Sequence, residues 1–573
     1  MKRDAAANIL LFRRDETPPD PRKRLSLLEH HNVDASAPCA ADCGSSASCT
    51  GGTMSELPAF PNLDHLRKQA KRLLRDTHAG TSEALGRFAA SLPAARGLSL
   101  PALAQYPLRL HDAQSVVARE HGFRSWTELK RYVEWARSAA TERLSRWLRC
   151  VFEGQARERA LALRMLHAEP ALVAGDLWLA CPVGDVARLE RALAADPAFA
   201  NRPGGPFAMP PLAAVTSSAL IREPEFEDRL LASARLLIAH GADVDGRWTD
   251  PRFPDNPLSV LYGAAGRTHH AGMTRLLLDA GADPNDNESL YHSVESEDLS
   301  CTRLLLAAGA RVAGTNAVAR SLDYDRPEAL QLLLARREEP VETHWLHHAM
   351  LRGRSLAHIR ALVEAGADLS ARDRSGTSVY AFASRFGRED VMALLRERGV
   401  IDLLNPDEAF VAACARGDEA AAKAMLRAAP DMLSRLSEAQ LKAMPQLAAI
   451  GRLEAVRTML ALGWPREVKE GWQATALNLA IFSGDAMMTR LLLEHGADWR
   501  TQHGYGDNAL GTLSFASQAD DLGDNAPRDH AGCAAALLAY GVPMEAFGRY
   551  AFSEEVSDLL EGERVEEPEI ADG

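Results

Sequence analysis

Lysine is scarce. The 573-residue chain holds eight, against 57 arginines. No lysine follows a glycine, so the Gly-Lys-(Ser/Thr) loop that cradles nucleotide phosphates is excluded. Aromatic residues make up only 6% of a chain that is 46% hydrophobic, which leaves alanine and leucine to build the interior and favours helices over sheets. Long apolar runs are absent too: none approaches the roughly 20 residues of a membrane-spanning helix. The opening "MKRDAAANILLFRRD" has only Ile9 to Phe12 as an apolar core, too short for a secretory signal. These absences point to a cytoplasmic protein with no membrane partner.

Chemical signatures are missing as well. No HExxH or GxSxG occurs. His167 and Glu169 have the His-x-Glu spacing of zinc deaminases, but no Pro-Cys-x-x-Cys accompanies them. "GYGDNALG" (504–511) is glycine-rich, yet its third glycine falls two places late for a dinucleotide loop and no strand precedes it. The histidine pairs 30–31, 269–270 and 347–348 are adjacent, so neither helical pair presents two ligands on one helix face. Cys39, Cys43 and Cys49 cluster without a CxxC spacing or a matching histidine pair, and the other five cysteines lie singly in helical patterns. No catalytic residue, cofactor or metal is expected. A net charge of −13 disfavours nucleic acid as a general partner.

What the chain does contain is repetition. "MTRLLLDAGADPNDN" (273–287) returns as "CTRLLLAAGARV" (301–312) and "MTRLLLEHGADW" (488–499). Glycines ending such helices stand at 241, 281, 309, 366, 399, 463, 496 and 541. Degenerate copies fill the two long intervals, at 329–340 and 422–433, and two more stand upstream at 163–175 and 190–201. The base period is near 30 to 33 residues, a signal of stacked supersecondary units. Each unit has a short first helix rich in small residues, as in "FVAACARGD" (410–418), then a second with Met273, Leu276, Leu277 and Ala280 on one face. Gly281 then suits a left-handed helix cap. One such unit cannot bury enough surface to offset its own ordering entropy, so each copy completes its neighbour's core.

The Leu-Leu-x-x-Gly-Ala-Asp exit, clearest at 276–283, 362–368 and 491–498, together with traces of Thr-Pro-Leu-His-x-Ala such as Leu346, His347 and Ala349, resembles the ankyrin repeat. The resemblance spans roughly 155–552 and implies an all-α solenoid of about 11 or 12 units on the order of 100 Å long. It also implies a bacterial, non-catalytic protein-binding scaffold, expected to be monomeric, that uses its finger loops and concave face on a partner whose identity stays open.

The domains read as a disordered segment at 1–55, a helical module at 56–150, the array at 151–552 and an acidic tail at 553–573. Met54 offers a second start. The module's first helix, "NLDHLRKQAKRLLRD" (62–76), carries Arg67, Lys68, Lys71, Arg72 and Arg75 beside one apolar face. Residues 110–135 resemble a short helical module found before ankyrin arrays in bacterial proteins. The same residues have the outline of a helix-turn-helix, so a nucleic-acid-binding regulator using 62–135 is the alternative function. Glu128 and Arg131 stand where a recognition helix needs apolar residues.

Large aromatics in predicted finger loops mark candidate partner contacts: Trp248, Trp464, Trp472, Trp499 and Tyr505, with Arg252 and Arg500 beside them. His347 is expected, as the resemblance implies, to hydrogen-bond at a junction between repeats. The stretches 216–233 and 517–530 are expected to be loop insertions.

Overall fold

A computed structural model describes residues 57–560, apart from 59–60, 96, 154–155, 251–255, 338, 343, 374, 401, 520–527, 554 and 558. Arg252, most of the 517–530 insertion and nearly all of both terminal segments lie outside the described residues. The chain is an all-α, ankyrin-type solenoid whose two named strands form one small hairpin, Arg247–Thr249 against Pro257–Ser259. Inner helices stack in sequence order, Ala443–Ala449 on Ala476–Phe482 on Ala509–Gln518. The outer helices Leu453–Ala461, Ala486–Glu494 and His530–Ala539 form a second row behind them. Among the described residues, no helix is long and apolar enough to cross a membrane.

Helix Ala486–Glu494 shows why the repeated string folds as it does. Asp485 caps its start by accepting the Met488 N–H, and Met488, Leu491 and Leu492 are buried. At the exit Gly496 takes φ 80°, and its N–H and that of Ala497 return to the Leu493 and Leu492 carbonyls at 2.9 and 3.0 Å. That is the Schellman cap, and Ala497 is its buried apolar contact. All eight marker glycines have φ between 80° and 95°. In the 273–281 copy, Met273 and Leu277 are fully buried and Leu276 is half-buried, but Ala280 is exposed because it already belongs to the cap.

The acidic residue after Gly-Ala is an adhesive. Asp243, Asp283 and Asp498 each accept the N–H two residues on, closing a local turn. Side chains then bridge consecutive fingers. Asn201 accepts the Asp243 N–H, Asp245 the Asp283 N–H and Asn285 the Arg311 N–H, at 2.8 to 2.9 Å.

Arginine stitches the turns between paired helices. Arg326 donates to the Glu295 carbonyl, Arg354 to that of Asp323 and Arg388 to that of Arg354. Each reaches the preceding repeat. Arg388 adds a two-point contact to Asp390, 2.8 Å at each nitrogen, while only 11% of its side chain is exposed. The guanidinium holds the carbonyl and both carboxylate oxygens from separate nitrogens, a planar fork that an ammonium cannot copy. Arg388→Lys should therefore lower stability by about 1–2 kcal/mol, read as a drop in the calorimetric melting temperature. An unchanged melting temperature would show that charge alone suffices.

Two buried clusters divide the interior. One lies wholly in the module, with Leu66, Leu73, Phe88 and Leu129, and the other runs from Trp135 to Leu560. Helix Ala140–Glu153 contributes Trp147, Leu148 and Val151 to the second. A division at 150 therefore cuts an array helix. Arg164 joins the two bodies by lying 4.0 Å over the Phe123 ring, and Arg131 pairs with Glu158 at 2.6 Å. The 216–233 insertion is not a loop. It forms a 3-10 turn, Ala219–Arg222, and the opening turns of the 16-residue helix Pro224–Ala239, because Phe226 and Leu230 both find buried places.

Candidate functional site

The aromatic residues expected at the surface separate into two groups. Trp464 is 2% exposed, stacks on Phe410 with ring centroids 6.3 Å apart and donates its indole N–H to the Leu441 carbonyl. Trp248 lies in the finger hairpin opposite Leu258 and is also buried. Neither is a surface residue; both turn back into the array, because a short finger leaves a tryptophan ring within reach of its own helices. They are corrected to core.

Trp472, Trp499, Arg500 and Tyr505 do reach solvent. Trp472 sits on the finger closed by the bridge between Glu470 and Ala474, and Tyr505 on the next finger. Their rings are 5.9 Å apart. His503 packs edge-on to Trp472 at 4.7 Å. Beneath them the buried Phe482 lies 6.0 Å from Trp472, and Phe515 stacks on it at 6.2 Å. Backbone and side-chain bonds fix the two fingers against each other. Gly504 donates to the Trp472 carbonyl at 2.9 Å, Lys469 to the Gln502 carbonyl at 2.8 Å and Asp498 to the Glu467 carboxylate at 3.0 Å. Trp499 and Arg500 form a separate pair, the guanidinium 4.6 Å above the ring and 67% exposed.

His503, Phe482 and Phe515 were not among the expected contacts. Their signal lay in register: Phe482 and Phe515 are 33 residues apart, one repeat, near the ends of consecutive first helices.

A second feature also escaped the sequence. Two successive junctions between repeats are ionic, the second through both Asp323 and Asp325. Glu295 accepts from Arg320 Nε at 2.7 Å, and from His292 at 2.8 Å; Arg320 lies 4.9 and 4.6 Å from the Tyr291 and Tyr324 rings. Asp323 binds His348 and Arg352 at 2.8 and 2.7 Å, and Asp325 binds Arg354 and His358 at 3.2 and 3.3 Å. Burial alone would raise Glu295, but Arg320 and His292 outweigh it and hold the carboxyl at about 2. Burial likewise opposes ionisation of His292, but Glu295, Tyr262 and Glu288 hold it well above its ordinary value. Asp323 is lowered by Arg352 and His348 against the same opposition. His347, beside these residues, stands at a junction and packs edge-on against Phe382 of the next repeat at 4.6 Å, a ring contact where a hydrogen bond was expected.

Cysteine offers no nucleophile among the described residues. The five described thiols are buried, and burial pushes Cys301 up to about 11 and Cys414 and Cys533 up to about 12. The same residues include no group of three histidine, cysteine or acidic side chains able to hold a metal ion.

The helix-turn-helix outline at 110–135 is present as a shape. Gly122 takes φ 78° between helices Leu110–Glu120 and Trp126–Arg137, and Ser125 caps the second. That second helix packs on Leu110–Glu120 on one side and on Ala140–Glu153 and Ala156–Ala168 on the other. Glu128 is buried because its carboxylate accepts the Arg124 N–H at 2.7 Å. Of this helix only Lys130, Glu134 and Arg137 are classed as exposed. A recognition helix needs a free face wide enough for a DNA groove, and this helix has a single stripe.

No family model and no curated protein matches the sequence. Among solved structures, the human ASB11 ankyrin repeat domain matches at 21% identity, over 39% of this chain and 98% of its own, with a TM-score of 0.19. The assignment of the fold rests on the chain's own paired helices, glycine caps and bridged fingers.

Proposed function

We propose that the chain is a non-catalytic adaptor, working as a monomer in the bacterial cytoplasm, that docks a protein partner on the fingers and inner helices between 470 and 516. The observation that carries this reading is the half-buried ring pair Tyr505 and Trp472, held on two fingers that are bonded to each other and backed by the buried Phe482. Trp and Tyr dominate interface hot spots because they bring large area at small entropic cost, and a pre-ordered pair lowers that cost further. The exposed Arg500, lying over the partly buried Trp499, extends the surface.

The test is chemical crosslinking in the native cell with the wild type and a Trp472→Ala/Tyr505→Ala double variant. Loss of two hot-spot residues should weaken capture of a reproducible partner by tenfold or more. The melting temperature should change little, because both rings are half-exposed. Lost helicity with unchanged capture would make these rings structural and remove the docking site.

A further inference from the structure

The array has one turn where burial, strain and charge coincide. Helix Pro224–Ala239 is followed by a first helix that ends in a π-helical turn, Gly263–Arg267, and then Thr268, His269 and His270. In most repeats a glycine with φ of 63° to 75° makes this exit, as Gly353, Gly387 and Gly417 do. Here His269 does so at φ 47°. A β-carbon in the left-handed region costs on the order of 1 kcal/mol, so the turn keeps its shape only while its contacts hold.

Those contacts join three repeats. Arg222 donates to the carbonyls of Thr268 and His269 at 2.7 and 3.0 Å. His269 Nδ1 lies 3.0 Å from the Ala265 carbonyl, which makes it the donor and leaves Nε2 as an acceptor. That Nε2 is buried and has no hydrogen-bond partner. The charged groups around it are Arg222 from the preceding repeat and His292, Glu295 and Asp298 from the following one. Both hydrogen bonds that Glu295 accepts fall on one oxygen, from Arg320 and His292. His270 beside it faces Glu227 at 3.2 Å, and Arg222 also acts on it.

We infer that this turn is an acid-sensitive break point, at which a proton on His269 opens the junctions spanning residues 263–300 before the C-terminal stack loosens. A protonated ring adds a second N–H on a buried Nε2 that has no hydrogen-bond partner in the neutral form. It also sets a cation beside Arg222 and His292. In a solenoid each junction contributes its own stability, so a penalty at one junction opens the array there. The sign follows from the neutral form being favoured. Burial lowers His269 to about 4, so its contribution is complete above about 6.5 and is lost as pH falls from there towards 4.

The experiment is amide hydrogen exchange on the full chain at pH 7.5 and pH 5, corrected for intrinsic rates. His292 lies in the same segment and acts in the opposite direction, so the effect of His269 is read against His269→Asn, which keeps a residue that tolerates positive φ but cannot titrate. From pH 7.5 to pH 5, protection over 263–300 in the wild type should fall on the order of 30-fold relative to His269→Asn, while 443–496 behaves alike in both. His269→Gly, which also cannot titrate and relieves the positive φ, should match His269→Asn. Two results overturn the inference: the same pH dependence over 263–300 in the wild type and both variants, or an equal change in the two segments.

Discussion

Arg320→Met should destabilise the middle of the array by about 3–5 kcal/mol, because it leaves the Glu295 carboxylate buried without its main counter-charge. Two observations set this size. Neither side chain has appreciable access to water, 7% for Arg320 and none for Glu295. A carboxyl held at about 2 instead of its ordinary 4.5 also carries about 3 kcal/mol of stability at neutral pH. That contribution is present above about 4.5 and is lost as pH falls towards 2. In Arg320→Met the carboxyl loses its counter-charge, so this acid limb should shrink or vanish. His292 behaves oppositely: its raised value gives a contribution complete below about 6.5 that is lost as pH rises through the folded value. Urea unfolding followed by circular dichroism reads the Glu295 limb between pH 7 and pH 3 and the His292 limb above pH 7. The double replacement Glu295→Leu/Arg320→Met should cost much less than the sum of the two single changes, since it removes the desolvation cost along with the pair. Additive losses would show that the two residues do not act as a unit.

These ionic junctions also show where sequence reading stops. Glycine spacing and leucine periodicity identified the second helix, its cap and the stacking, because each is a local requirement that recurs. Glu295, Arg320 and Asp323 sit in weakly conforming copies, "YHSVESED" and "ARSLDYDRPE", where the small residues expected of a first helix are replaced by charge. Their meaning depends on partners 25 to 29 residues away, as Glu295 with Arg320 and Asp323 with Arg352, and those are matched only when adjacent repeats stack. The same limit applied to the tryptophans. Trp464 and Trp472 stand eight residues apart in one finger. Only three-dimensional placement shows that Trp464 reaches the Leu441 carbonyl while Trp472 remains at the surface.

Glycine provides the second large effect, because two glycines with the same left-handed backbone have different neighbours. Gly281, at a second-helix exit, has φ 95°, and a methyl group added there would meet nothing within 4 Å. Gly281→Ala should therefore cost only the backbone term, about 1–2 kcal/mol. Gly387, at a first-helix exit, has φ 63°, but its added methyl would lie 2.7 Å from the Ala415 carbonyl oxygen and 3.0 Å from its carbon. That contact is the backbone of the next repeat, held by the Gly417 and Asp418 amides bonding back to Cys414 and Ala413. A flexible side chain could yield; a capped helix end does not. Gly387→Ala should add about 1–3 kcal/mol of overpacking to the backbone term and open the junction between Val379–Arg385 and Pro406–Ala415. Chemical denaturation of the two variants, with hydrogen exchange to locate the loss, measures the difference. Equal costs would mean that the junction gives way freely, and the close approach of successive inner helices could then no longer be counted as what holds the stack in register.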